Sequence, residues 1–167
     1  MSVREMDAVQ LLTIQHRALE RLLQEAAEEQ DAKQKQMLVN RAGDELMVHL
    51  TSEEKIFYPA VRAARTEDIL LESLEEHLSL KRLLADLLAL DPNETTYEPK
   101  FKVLKEQAEH HHREEEEHLF PKVTRLMPED QRHALGKEML EMQVEMAKAG
   151  KPREDASDQT GAAAPLE

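Results

Sequence analysis

The sequence predicts an all-α protein, an antiparallel up-down-up-down four-helix bundle followed by one extra C-terminal helix. Three observations lead there. Apolar residues recur at steps of three and four over long segments, the period of a helix face. Only four Gly and 3% aromatic residues, beside abundant Leu, Ala, Glu, Lys and Gln, favour helix over sheet. One pattern occurs twice, 62 residues apart, so the chain divides into two related helical hairpins, and two hairpins pack naturally as a bundle.

Helix one is expected from Asp7 to about Gln30, with Val9, Leu12, His16, Leu19 and Leu23 on one stripe. Helix two runs from about Asp31 to Arg62 on a stripe of Leu38, Ala42, Leu46, His49, Glu53 and Ile56, and Pro59 should kink or end it. Thr66 is placed as the N-cap of helix three, which reaches about Leu90 with Leu70, Leu74, His77, Leu80, Leu84 and Leu87 inward. Asp91 to Thr96 is a turn by composition. Helix four spans about Tyr97 to Arg125, with Leu104, Ala108, His111, Glu115 and Leu119 on its stripe and Pro121 where Pro59 sits in helix two. After Met127-Pro128, a fifth helix from about Glu129 to Lys148 turns Leu135, Met139, Met142 and Met146 inward. Residues 1–149 form the bundle domain. Residues 150–167, rich in Ala, Asp, Gly and Pro without periodicity, are expected to be a disordered tail.

Composition narrows the chemistry. With no Cys, disulfides, thiolate metal sites and Cys nucleophiles are excluded, and any metal ligands must be His and carboxylate. A formal net charge of −13 repels phosphate backbones, so no nucleic-acid partner is expected. No run approaches the ~18 uncharged apolar residues of a membrane span. Residues 1–5 carry no apolar core of a signal peptide, so a cytoplasmic location without membrane contact is expected.

The duplicated pattern reads His49-Leu50-Thr51-Ser52-Glu53-Glu54-Lys55-Ile56-Phe57-Tyr58-Pro59 and His111-His112-Arg113-Glu114-Glu115-Glu116-Glu117-His118-Leu119-Phe120-Pro121. In each, a His is followed four residues later by a Glu, then by a second Glu, and an aromatic-Pro pair closes the segment. A further His precedes each copy on a leucine-rich segment, His16 and His77, 61 residues apart. The inward set is His16, His49, Glu53, His77, His111 and Glu115. A His and a Glu at i and i+4 share a helix face, so both can touch one metal, or the Glu can reach a second beside it. Four imidazoles and two carboxylates buried without a partner would be strongly destabilising, and metal binding resolves this. Imidazole with carboxylate suits iron, manganese or zinc. Bridging carboxylates with terminal His favour a paired site, with iron the leading candidate.

This paired His…His-x3-Glu-Glu…aromatic-Pro pattern resembles the hemerythrin-like, or HHE cation-binding, family over roughly residues 7–126. The resemblance implies a four-helix bundle around a non-haem di-iron centre. His16 and His49 would be terminal ligands of one iron, His77 and His111 of the other, and Glu53 and Glu115 would bridge the pair. Oxygen carriers of this kind have an additional His one turn before the third-helix ligand, where this chain has Ser73. Iron-sulfur repair relatives have one near the start of the second helix, about where Met37 stands. An open coordination position is therefore implied, which favours sensing, peroxide chemistry, NO binding or iron handling over reversible O₂ carriage.

Around these six, Glu54 and Glu116 lie one residue off the stripe and are expected to support the ligands by fixing an imidazole tautomer. Tyr58 and His118, the latter two turns after His111, complete the expected supporting set. His110 and His112 should face solvent or a neighbouring helix, Lys81 should snorkel outward, and His133 has no assigned role. The expected function is binding or sensing of O₂ or a related small molecule, with a protein partner to carry the output. An oxidative or peroxide-decomposing enzyme, or a structural bundle with zinc or no metal, is the alternative. Glu-x-x-His elements at Glu109 and Glu115 both fall on helix four, which argues against a ferritin-like site needing them on two helices.

Overall fold

A computed structural model describes residues 2–167, except for the side chain of Arg4. It contains no strand among the described residues, and none of its helices is long and apolar enough to cross a membrane. After a short 3₁₀ turn, Val3–Glu5, helix α1 spans Ala8–Glu28. Asp7 caps it by accepting from the Gln10 backbone N–H at 2.8 Å, and the Gln10 side chain returns a bond to the Asp7 N–H. Asp31 caps α2, Ala32–Ser52, by accepting from the Gln34 N–H, without a returned bond.

Pro59 neither ends nor sharply breaks the second helix. A π-helical turn, Glu53–Phe57, carries α2 into a short α3, Tyr58–Val61. Its signature is the bond from the Tyr58 N–H to the Glu53 carbonyl, five residues back. Proline cannot donate to the carbonyl four residues earlier and its ring crowds it, so one wider turn absorbs the conflict. The same device recurs in the second copy: α5, Tyr97–Glu114, passes through a π turn, Glu115–Leu119, into α6, Phe120–Leu126, with the Phe120 N–H bonded to the Glu115 carbonyl. The wider turn also moves the inner stripe on by one residue. Phe57 is buried where Ile56 was expected, and Ile56 is only half-buried.

Helix α4 spans Glu67–Leu88. Thr66 stands at its N-terminus without capping it. Its hydroxyl donates to the Val61 carbonyl and accepts from the Ala63 N–H, tying the preceding turn instead. Helix α7, Glu129–Ala149, lies along α1 and α2 and seats Leu135 and Met139 in the core. Gly136 permits this approach, because a Cβ there would stand 2.8 Å from the Met6 carbonyl oxygen.

The segment 150–167 is not the disordered tail expected of it. Gly150, at φ 157°, turns the chain back, and Pro152–Gln159 forms a 3₁₀ helix across α2 and α4. Pro152 and Ala156 are buried, Arg153 pairs with Asp44 at 3.0 Å, and Arg82 donates to the Thr160 carbonyl at 2.8 Å. Local periodicity could not reveal this, because the segment is held by scattered tertiary contacts: small apolar residues, an ion pair and a charge-to-carbonyl bond.

The core falls into two apolar clusters. One gathers Leu22, Leu50, Leu84, Phe101 and their neighbours; the other gathers Leu12, Phe57, Leu70, Leu119 and Met139. Between them the four bundle helices each carry a buried histidine, His16, His49, His77 and His111.

Candidate metal centre

The six inward residues converge. His16, His49 and Glu115 offer ligand atoms that all lie within 4.8 Å of one another, and so do Glu53, His77 and His111. The carboxylates connect the two groups. Glu53 Oε1 is 3.4 Å from His49 Nε2 and 3.3 Å from His77 Nε2. Glu115 Oε1 is 3.2 Å from His16 Nε2 and 3.4 Å from His111 Nε2. Each Glu oxygen thus stands between an imidazole of one group and an imidazole of the other.

Every imidazole is held from behind. His16 Nδ1 donates to Glu116 at 2.7 Å, His49 Nδ1 to Gln15 at 3.0 Å, His77 Nδ1 to Glu54 at 2.8 Å and His111 Nδ1 to Glu76 at 2.7 Å. Carboxylate and carbonyl oxygens only accept, so these bonds place the proton on Nδ1 and aim the Nε2 lone pair inward. The four bonds link α1 to the fourth bundle helix, that helix to α4, α4 to the second, and the second back to α1, closing a ring around the bundle.

Inside the ring, polar atoms lack partners. His16 Nε2, His49 Nε2, both oxygens of Glu53 and Glu115 Oε1 are buried with no hydrogen-bond partner among the described residues. The Nε2 atoms of His77 and His111 face each other at 3.1 Å. Such a set is costly unless a cation fills it. Burial and the adjacent Glu115 carboxylate push Glu53 well above the usual carboxylate range. Glu115 is held well below that range: burial opposes ionisation, but His111, Glu53 and His16 outweigh it. Burial, reinforced by His16, drives His49 well below the usual imidazole range, which keeps its ring neutral. Two divalent cations would satisfy these donors, and oxygen and imidazole donors without sulfur suit iron, manganese or zinc.

Tyr58 is wholly buried at this layer. Its hydroxyl donates to Glu115 Oε2 at 2.7 Å and lies 3.1 Å from His77 Nε2. Burial, with the charges of Glu115 and Glu53, raises the phenol well above its ordinary value, so it remains a proton donor.

Other residues depart from expectation. His118 is more than half exposed and sits beside Glu114 and Glu117, outside the site. Leu119, already expected on the inward stripe, is the residue that faces the core here, and His118 just before it is left outside. Lys81 does not snorkel; it is buried and donates to Glu54 at 2.9 Å. His112 takes the second of its two expected settings, a neighbouring helix: it is buried with its ring stacked on His16 of α1 at 3.9 Å, and burial lowers it to about 4. Gln15 and Glu76 were missed, as was Gln143, which donates to both Gln15 and Ser52.

The hemerythrin HHE cation binding domain family matches residues 7–123. The chain belongs to this HHE family. The fold agrees with the crystal structure of a hemerythrin HHE cation binding domain-containing protein from Mycobacterium kansasii, with a TM-score of 0.78 over 86% of this chain and 89% of that one, at 21% identity. In sequence, this HHE chain is 25% identical over 128 residues to a DNA nickase of Nostoc sp.. The match takes in 77% of the chain but only 36% of the nickase.

Proposed function

We propose that this HHE domain holds two iron ions and uses them to bind or sense O₂ or a related small molecule, NO or peroxide, or to handle iron. His16, His49 and Glu115 would hold one ion and Glu53, His77 and His111 the other, with both carboxylates shared. The observation that carries this reading is the orientation of the four imidazoles, each anchored through Nδ1 while its Nε2 faces unpartnered carboxylate oxygens. Iron with an open position supplies direct coordination of the small molecule. The protein's part is to fix the ligands, exclude water and present a phenolic proton at Tyr58. Ser73, buried on α4 near that phenol, is the position where oxygen carriers of the resembling kind have a further His.

A second reading, a peroxide-decomposing or oxidative enzyme, is favoured by Tyr58, because a protonated donor inside the site is what such chemistry uses. DNA nicking is not carried over: the shared region is a minor part of the nickase, and a net charge of −13 repels a phosphate backbone.

The test is metal analysis of protein purified without an affinity tag, with the ultraviolet–visible spectrum recorded before and after O₂, peroxide and NO. About two iron ions per chain are expected, as the two ligand groups imply. His49→Ala and His111→Ala should each lose metal, whereas His133→Ala should not. Equal metal content in all three variants refutes the ligand assignment, and zinc or no metal in wild type refutes iron. Turnover of peroxide that falls in Tyr58→Phe without loss of metal would select the enzymatic reading.

A further inference from the structure

Beside the layer of buried histidines, α1, α2, the end of α7 and the start of the C-terminal segment line a half-open pocket of about 430 Å³. His49 and Gln15 form its inner end, and Ala18, Val48, Ala147 and Pro152 give it apolar walls. A water occupies about 30 Å³ in the liquid. Passage of a diatomic gas therefore needs only a small part of this space, which instead falls within the roughly 300–1,000 Å³ range of small-molecule sites.

Its charge has one sign. Asp44 and Glu45 line it, and no Lys or Arg does among the described residues. Asp44 is already engaged by both the Arg153 guanidinium and the Arg153 backbone N–H. Glu45 has only Arg41 at 3.9 Å, beyond hydrogen-bond distance. The Glu45 side chain is 43% exposed, so its carboxylate stands at the rim of the pocket, in water and without a full protein partner. At the inner end, Gln15 is committed to His49 and Gln143, so its amide offers little to a ligand.

We propose that this cavity binds a small organic cation, a primary amine on an apolar frame, with its ammonium group at Glu45 and its body against Ala18, Val48 and Ala147. The binding requires no metal. Its seat against His49 places the ligand next to the metal centre, and that clause alone rests on the proposed function.

Phenethylamine, phenethyl alcohol and phenylacetate, titrated by calorimetry into metal-free and metal-loaded protein, test this. The amine should bind one-to-one, about five-fold tighter than the alcohol, the scale of one partly exposed ion pair. Phenylacetate should not bind. Glu45→Gln should reduce the amine to the level of the alcohol, and Ala147→Trp should abolish binding of both. Val144→Trp, on the exposed face of α7, should change neither. If circular dichroism shows Ala147→Trp to be unfolded, Ala18→Phe fills the same space from α1. Absence of saturable amine binding, or binding that survives filling of the cavity, overturns the site. Equal affinity for amine and alcohol overturns its cation preference. Because the metal-free protein is measured separately, failure here is distinct from failure of the metal assignment.

Discussion

The two copies of the duplicated pattern share a backbone and differ in their surroundings. In the first, Glu54 is buried and held by His77 and the buried Lys81, and Tyr58 both stacks on His77 and donates to Glu115. In the second, Glu116 is half-exposed and held by His16 and the exposed Arg17, and Phe120 stacks on His16 with no hydroxyl to offer Glu53. Equal spacing therefore builds two equivalent candidate ligand positions, while the neighbours make one half sealed and donor-rich and the other open to water. Glu115 is fixed by a phenol; Glu53, with both oxygens unpartnered, is the carboxylate free to shift.

The sharpest way to break this comparison is to remove the cation of each half. Lys81→Met should cost about 3–5 kcal/mol in urea unfolding, because it strands a buried carboxylate. Arg17→Met, across the bundle, should cost under about 1 kcal/mol. Equal losses would mean that the two halves are electrostatically alike.

A smaller effect is expected on metal affinity, measured by chelator competition. Groups that orient a ligand His typically contribute 10–100-fold. Glu54→Gln should weaken binding toward about 100-fold and Glu116→Gln nearer to about 10-fold, since water can replace the half-exposed group. Smaller again, Tyr58→Phe should destabilise the metal-free fold by about 2 kcal/mol through loss of a buried bond to a carboxylate. Metal-loaded protein should lose less, because a cation satisfies Glu115 in its place.

Much of this was legible in the periodicity. Six polar residues on otherwise apolar stripes, repeated at constant separation, identify four helices and the layer at which they meet. Glu54 and Glu116 were visible as the second acids of each copy. Gln15 and Glu76 carried an equally plain signal, since each immediately precedes a stripe histidine and they stand at the same 61-residue separation as His16 and His77. A residue one step off the stripe faces the adjacent helix, where it reaches a neighbour's imidazole. Ile56 and Lys81 were not legible; the outward place of His118 was. Ile56 lies in a π turn that no 3.6-residue count contains, His118 lies beside Leu119, which the stripe already turned inward, and Lys81 depends on a carboxylate from another helix. The seating of Pro152 and Ala156 was hidden because it arises from tertiary contact alone.

The ring of Nδ1 bonds bears on when the proposed cations could be captured during synthesis. Within the first hairpin only His49 is oriented, by Gln15; within the second only His111 is, by Glu76. His16 waits for Glu116 and His77 for Glu54, each contributed by the opposite hairpin. A nascent first half is thus a poor chelator, and tight capture coincides with docking of the two halves, so that ion uptake reports a finished chain.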